Sequence, residues 1–156
     1  MLTGSFDNNG KLHNGSSVEM SADGSKNEIK FTNGKRTGRF ARDVPGGYKY
    51  EGDWVNDLRH GQGVFTWPSG QRYEGEFFEG KQHGNGVQTY SNGQRYEGGW
   101  VEGKPHGNGV QTAPDGTRVE GAWVEGKNQG VFMVTSPGQQ PRKAQYKDGK
   151  FVSWLE

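Results

Sequence analysis

The chain has 156 residues, of which 28% are hydrophobic and 12% aromatic, with 28 glycines and a net charge of +1. This is too little apolar material for a thick two-layer core, yet the aromatic content argues against a disordered chain. The absence of cysteine excludes a disulfide framework and thiolate metal sites. No apolar run approaches the roughly 20 residues that span a membrane.

The first 49 residues carry two irregular copies of a motif that becomes regular later in the chain. Leu2-Thr3-Gly4-Ser5-Phe6 and Gly10-Lys11 belong to the first copy, and Asp23-Gly24 falls in register with later turns. The second copy, Asn27 to Gly47, has Phe40 at a position that is glycine in the regular copies. The start of the chain shows neither the basic nor the apolar region of a signal peptide.

Residues 50–118 contain three regular copies of 23 residues each, at 50–72, 73–95 and 96–118. Each copy opens on Tyr-Glu-Gly-x-aromatic, continues through His-Gly-x-Gly-Val and closes on a turn glycine. A fixed period of this length indicates a repeat architecture in which each unit is one supersecondary element.

Residues 119–156 contain one looser copy and one partial copy. Val119-Glu120-Gly121-Ala122-Trp123 opens the looser copy, and Tyr146 with Gly149-Lys150 marks the partial one. Terminal repeats that drift from the consensus are expected, because each covers an end that has no neighbour. We therefore predict a single domain over 1–156, with degenerate repeats in 1–49 and 119–156.

The spacing inside each copy is that of β-strands. Tyr50, Gly52 and Trp54 alternate with Glu51 and Asp53, a period of two. Two short strands and two turns fill each copy and leave no room for a helix. The sequence predicts an all-β, single-layer, elongated antiparallel meander of about six to seven stacked hairpins.

The repeated motif resembles a known family. The segment Tyr96 to Gly109 is similar, almost letter for letter, to the MORN (membrane occupation and recognition nexus) repeat. The resemblance implies elongated antiparallel sheets that bind proteins or lipids, and neither catalysis nor a cofactor. The chain departs from the family pattern at Asn56-Asp57-Leu58-Arg59, which lacks Gly-Lys, and at Gln129, which replaces histidine.

One candidate site combines the repeated histidines with the repeated glutamates. His60, His83 and His106 occupy equivalent positions, which in stacked hairpins lie roughly 9–10 Å apart. A metal ion needs ligand atoms at about 2.0–2.2 Å, so such positions do not converge on one ion. We predict turn-stabilising histidines, a solvent-exposed ladder of glutamate and arginine, and no enzymatic or metal site.

A second candidate is a basic segment with interleaved aromatics and no acid over residues 30–42. Basic clusters of this kind bind anionic lipid headgroups or nucleic acid, and the alternative is the solvated edge of an early repeat. The residues of the lipid-binding hypothesis are Lys30, Lys35, Arg36, Arg39 and Arg42.

A third candidate is the surface of the regular repeats. Gly63, Gly86 and Gly109 give a floor of small residues, which predicts a shallow groove that binds a partner, unless the rings close over the glycines. Its residues are Tyr50, Trp54, Tyr73, Phe77, Gly86, Tyr96, Trp100 and Trp123. On this hypothesis a Gly86→Phe variant folds but loses its partner.

The resulting functional hypothesis is a non-catalytic module for protein–protein interaction or scaffolding through the aromatic and glycine face. The alternative is a peripheral membrane module that binds anionic phospholipid through residues 30–42. We expect another protein or peptide as partner, no nucleic acid, self-association through exposed sheet edges, and a cytoplasmic location with or without membrane attachment.

Overall fold

The computed structural model describes residues 2–20, 26–44 and 46–156, which form β-strands and turns without a helix. The strands are β1 Leu2–Phe6, β2 Leu12–Met20, β3 Lys26–Thr32, β4 Lys35–Val44, β5 Tyr48–Val55, β6 Leu58–Thr66, β7 Arg72–Phe78, β8 Lys81–Thr89, β9 Arg95–Val101, β10 Lys104–Thr112, β11 Arg118–Val124, β12 Lys127–Asn128, β13 Gly130–Thr135, β14 Arg142–Lys147 and β15 Lys150–Leu155. The turn predicted at Asp23-Gly24 lies outside the described residues.

The strands pair in chain order. Each strand from β1 to β11 pairs with the next, β11 pairs with β13, and β13, β14 and β15 follow, while the short β12 pairs with β11. The described residues thus form one open antiparallel sheet, which confirms the predicted all-β hairpin meander.

The chain divides into two compact units. Unit 1 comprises Met1–Pro68 and Glu76–Lys81, and unit 2 comprises Ser69–Gly75 and Gln82–Glu156. The assignment of residues 1–156 to a single domain stays a prediction.

In unit 1 the core lies on one face of the sheet, which we call the ring face. Tyr50 pairs with Phe65 across β5 and β6, and Gly52 pairs with Gly63 two residues further along. The alternation of strand side chains therefore places tyrosine, glycine and tryptophan of β5 on the same face. The buried apolar residues of the unit are Leu12, Ile29, Phe40, Tyr50, Trp54, Phe65 and Phe77.

Unit 2 has a ring face of the same kind. Gly86 pairs with Gly98, Gly98 with Gly109, and Gly109 with Gly121, so glycines cross four strands in one line. The buried apolar residues beside this line are Tyr73, Tyr96, Trp100, Trp123, Phe132 and Ala144.

The Gly-Lys turns link each repeat to the preceding one. From Gly34 onwards each of these turns has two successive residues in the left-handed region, such as Glu102 (φ 53°) and Gly103 (φ 80°) in unit 2, as a type I′ hairpin turn requires. The amide of Gly103 donates a hydrogen bond of 3.0 Å to the carbonyl of Gln82 in the repeat before it. In unit 1 the amide of Gly80 donates a 2.8 Å bond to Arg59 in the same way.

Candidate functional site

The eight residues that the sequence predicts for partner binding all lie in the interior of the ring face. The aromatic ones have exposed fractions between 0% and 7%, and Gly86 is also buried. In unit 1 the ring of Tyr50 meets Trp54 and Phe77 edge to face, at centroid distances of 5.1 and 5.2 Å. Tyr50, Trp54 and Phe77 therefore pack against one another. In unit 2 the rings of Tyr73, Tyr96, Trp100 and Trp123 pack together in the same way.

The tyrosine rings fill the groove that the glycine floor predicts. The rings of Tyr50 and Tyr73 lie against Gly63 and Gly86, so closely that a Cβ atom on Gly86 would stand 2.5 Å from ring carbons of Tyr73. The shallow open groove over the glycines is thus absent, because the rings close over them. A Gly86→Phe side chain would overlap the Tyr73 ring, so we now expect this variant to be destabilised rather than to fold and lose only its partner.

Hydrogen bonds hold these rings in place. The hydroxyl of Tyr50 donates to the carbonyl of Asp53 at 2.9 Å, and that of Tyr96 donates to the carbonyl of Gly99 at 3.1 Å. Burial, with a smaller contribution from the Asp53 charge, raises the pKa of Tyr50 to about 12. Burial likewise raises the pKa of Tyr96 to about 12. Both groups act as neutral donors in the core and have no access to a substrate.

The basic segment 30–42 does not form one patch. The guanidinium of Arg36 lies 5.6 Å from the ring centroid of Trp54 and is bonded to Asp57, so it belongs to the ring face. Arg39 forms a 3.3 Å ion pair with Asp53. Because successive strand residues point to opposite faces, the positive charges divide between the two sides of β4.

The same alternation places each of the remaining basic residues on one of the two faces of the sheet. Arg42 is cross-strand partner of Tyr50 and shares the ring face, whereas Lys35 is in phase with Arg39 on the opposite face. Lys30 pairs with Thr37, which is also in phase with Arg39. The predicted lipid-binding set is therefore split between two faces, and two of its members have carboxylate partners.

A different cluster on the ring face of unit 1 keeps aromatic surface accessible. Phe65 is buried beneath Trp67 and Tyr48, at ring-centroid distances of 4.6 and 5.8 Å, and the guanidinium of Arg59 lies 4.5 Å from the Phe65 centroid. Tyr48, Arg59 and Trp67 are half-buried. We call Tyr48, Arg59, Phe65 and Trp67 the aromatic platform.

Arg59 is the most constrained member of the platform. Its guanidinium also lies 5.6 Å from the Phe77 centroid and 5.9 Å from that of Tyr50, and it donates a 2.8 Å hydrogen bond to the carbonyl of Gly80. Burial lowers the pKa of Arg59, but an arginine side chain stays protonated in proteins. The result is a fixed positive charge on an aromatic base.

Comparison of equivalent repeat positions could have found the platform. One repeat later, 23 residues on, Tyr48, Arg59 and Phe65 are all replaced by glutamine, at Gln71, Gln82 and Gln88. The position of Trp67 is Tyr90 one repeat later and Ala113 two repeats later. The signal is a residue that differs from its equivalents in the following repeats, whereas the sequence hypothesis followed the residues that recur in every repeat.

The departure at Asn56-Asp57 keeps the turn and adds an ion pair. Asn56 (φ 52°) and Asp57 (φ 67°) both adopt the left-handed conformation. The amide of Asp57 donates to the carbonyl of Arg36 at 3.0 Å, and its carboxylate accepts bonds from the backbone and side chain of Arg36. This turn also leads directly into Arg59, so the irregular segment positions the platform.

Of the three repeated histidines, His106 has a hydrogen-bond partner that points to a structural role. His106 Nδ1 accepts a 3.5 Å hydrogen bond from the amide of Glu125 in the next turn. Gln129, which replaces histidine one repeat later, accepts a 2.9 Å bond from the amide of Asp148 through Oε1. The side chain at this position thus binds the amide of the following turn at His106 and Gln129, and the same role for His60 and His83 stays a prediction.

The glutamates and arginines on the opposite face pair as a ladder. Arg72 bonds to Glu74 at 2.7 Å and Arg95 to Glu97 at 2.6 Å, in side chains that are 45% to 58% exposed. Such exposed pairs contribute little to stability, about 0–1 kcal/mol each. Within residues 2–20, 26–44 and 46–156, no group of three or more His, Asp or Glu is arranged to hold a metal ion. None of the described elements is a helix long and apolar enough to cross a membrane.

The comparisons with known proteins agree with the geometry of the repeats. The MORN repeat family model matches residues 50–72, 73–95 and 96–118, and no curated protein matches the sequence. MORN repeats are generally protein- or lipid-interaction modules and form a non-enzymatic family. Residues 50–118 are therefore three consecutive MORN repeats.

Proposed function

We propose that the chain is a non-catalytic protein-interaction module that binds a partner protein through the aromatic platform. The observation that carries this proposal is the half-buried state of Tyr48, Arg59 and Trp67 over Phe65. Tryptophan, tyrosine and arginine are enriched among the residues that dominate binding energy at protein interfaces. By contrast, the rings of Tyr50, Trp54, Tyr73, Phe77, Tyr96 and Trp100 are buried and offer no such surface.

The platform is also rigid, which favours binding. The contacts among the rings and the hydrogen bond from Arg59 to Gly80 hold its side chains in place before a partner binds. Side chains that are already ordered lose less entropy on association, where each mobile one costs about 0.5–1.5 kcal/mol. The exposed aromatic area can therefore contribute to affinity with a small ordering cost.

The lipid hypothesis has weaker support. A polybasic segment attracts an anionic membrane when several charges reach the surface together. Arg36 and Arg39 have carboxylate partners, and strand alternation sends them to opposite faces. We therefore place protein binding first and keep membrane binding as an outcome of the test.

The experiment compares the wild-type chain with two variants that take residues from the next repeat. The platform variant is Arg59→Gln, Phe65→Gln and Trp67→Tyr, which copies Gln82, Gln88 and Tyr90. The control variant is Leu58→Lys and Gln62→Asn, two exposed positions that copy Lys81 and Asn85 on the same pattern. Both sets of residues already occur in a folded repeat of this chain.

Each protein is immobilised for affinity capture followed by quantitative mass spectrometry, and each is floated with vesicles of phosphatidylcholine and phosphatidylserine. We expect wild type and control to retain the same proteins, the platform variant to lose them, and no chain to float. Equal capture by all three chains would refute the platform as the site. Salt-sensitive flotation that Arg36→Glu abolishes would favour the membrane function instead.

A further inference from the structure

We propose that the platform is specific for an extended acidic segment of a partner protein, in which carboxylates flank an apolar side chain. This inference rests on the proposed function and names the chemistry of the partner. Its basis is the distribution of charge between the two faces of β4, β5 and β6.

The ring face of these strands carries arginines with few acids. Arg36, Arg42 and Arg59 share this face, by ring contact or by register. The turn residue Asp57 is bonded to Arg36. Among Arg36, Arg42 and Arg59, the structure shows an ion pair at Arg36.

The carboxylates of β5 lie on the other side of the sheet. Glu51 and Asp53 alternate with Tyr50 and Trp54, so they project to the opposite face, where Asp53 pairs with Arg39. The strand β6 contains no acidic residue. In the part of the chain that the structure describes, no carboxylate forms an ion pair with Arg59.

Arg59 is suited to bind a carboxylate. A guanidinium has five N–H donors in a planar fork that matches carboxylate geometry. One donor is used on Gly80, and the rings of Phe65, Phe77 and Tyr50 hold the group in place. A charge-assisted bond beside apolar surface is stronger than one in open water.

The strand register gives the separation between Arg59 and Arg42, the two positive charges that the peptide would contact. The Arg59 guanidinium lies over Phe65, Phe65 pairs with Tyr50, and Tyr50 pairs with Arg42. Two strand spacings correspond to roughly 10 Å, the length of about three extended residues. An extended segment with two acids two to four positions apart would meet both arginines and place an apolar side chain near Trp67.

Single-stranded nucleic acid is the other polymer that combines negative charge with flat rings. It is bound by continuous positively charged grooves that follow the phosphate backbone. The opposite face of this unit carries Glu51 and Asp53, and the chain has a net charge of only +1. The charge distribution thus favours a short acidic peptide.

The test is a selection of random dodecapeptides displayed on phage, carried out on full-length wild type, the Arg59→Gln chain and the platform variant. We expect wild type to enrich peptides that have two Asp or Glu residues two to four positions apart beside an apolar residue. Arg59→Gln should lose the acidic bias, and the platform variant should enrich nothing in common with wild type. A fluorescent copy of the best peptide should bind wild type at least roughly tenfold more tightly than Arg59→Gln in an anisotropy titration, with affinity falling as salt rises.

The other outcomes separate the two proposals. Enrichment by wild type and not by the platform variant, without an acidic bias, would overturn the acidic specificity and leave the protein-binding function standing. Identical enrichment on wild type and the platform variant would overturn both. Tighter binding of a labelled oligothymidine than of the peptide, lost in Arg59→Gln, would overturn the peptide in favour of nucleic acid.

Discussion

The ring of Tyr73 occupies the space in which a side chain at Gly86 would stand. A Cβ atom on Gly86 would lie 2.5 Å from Cε2 and Cζ of that ring, far inside ordinary contact distance. The pair explains why glycine recurs in a strand, where it is normally unfavourable. A ring packed flat on the backbone buries more apolar surface than an alanine methyl would add.

We therefore predict that Gly86→Ala destabilises the fold by about 1–3 kcal/mol, the range of overpacked cores. In a Tyr73→Val background the three nearest crowding atoms are gone, so Gly86→Ala should cost much less there, and alanine is also less flexible than glycine in the unfolded chain. Urea unfolding of the four proteins gives the coupling energy. An equal cost of Gly86→Ala in both backgrounds would contradict the ring–glycine contact.

The buried tyrosine hydroxyls predict that the fold is sensitive to alkali. The pKa of Tyr50 and that of Tyr96 are raised to about 12 by burial, against about 10 in an unfolded chain. A group whose pKa is raised in the fold stabilises it fully below pH 10, and this contribution is lost as pH rises towards 12. We expect cooperative unfolding in that window, with tyrosine ionisation and loss of circular dichroism occurring together.

The matched variants are Tyr50→Phe and Tyr96→Phe. Each removes a titrating hydroxyl and keeps the ring, so the midpoint of alkaline unfolding should move to higher pH even though a hydrogen bond is lost. An unchanged midpoint in the double variant would show that other groups cause the alkaline transition.

The fold was predictable because the same pattern of strand and turn residues recurs in each repeat. The alternation around Tyr50, Gly52 and Trp54 specifies strands, and the turn residues at regular intervals specify hairpins. The recurring residues could not show whether the tyrosine rings leave an open groove over the glycines or fill it. That depends on the separation of Tyr73 from Gly86 across the sheet, and glycine at that position fits both arrangements.

The candidate site was partly predictable. The alternation of residues in β4 already implies that Arg36 and Arg39 face opposite sides, so the division of the basic segment follows from strand geometry. The irregular Asn56-Asp57-Leu58-Arg59 segment stood out in the sequence as a departure. The role of this segment could not be predicted from the sequence, because only the contacts in the structure show that Arg59 lies over Phe65 and that Asp57 bonds to Arg36.

The ion pair between Arg36 and Asp57 predicts a small acid-sensitive contribution to stability. Partial burial by itself would raise the pKa of Asp57, but the hydrogen bonds and charge of Arg36 outweigh it and lower the pKa. A lowered pKa stabilises the fold above the ordinary value of about 3.9, and the contribution is lost as pH falls through the folded pKa. Because the Asp57 side chain is 37% exposed, we expect less than about 1 kcal/mol.

The variant that checks this is Asp57→Asn, since asparagine tolerates the left-handed turn and still accepts a hydrogen bond from Arg36. The free energy of unfolding should fall less steeply for the variant than for wild type between about pH 5 and pH 2. Some slope will remain, because a backbone hydrogen bond from Thr117 also lowers the pKa of Asp115. Identical slopes would mean that the ion pair does not persist in solution.

The last prediction concerns the side chain that stabilises the following turn. His106 accepts from the amide of Glu125 at 3.5 Å, whereas Gln129 makes the equivalent bond to Asp148 at 2.9 Å. His106→Gln should therefore leave the free energy of unfolding within about 0.5 kcal/mol of wild type. His106→Leu keeps a side chain of similar bulk but removes the acceptor, and it should cost about 0.5–1.5 kcal/mol. Chemical denaturation at neutral pH measures the stability of both variants, and a His106→Leu variant as stable as His106→Gln would show that the turn does not depend on this hydrogen bond.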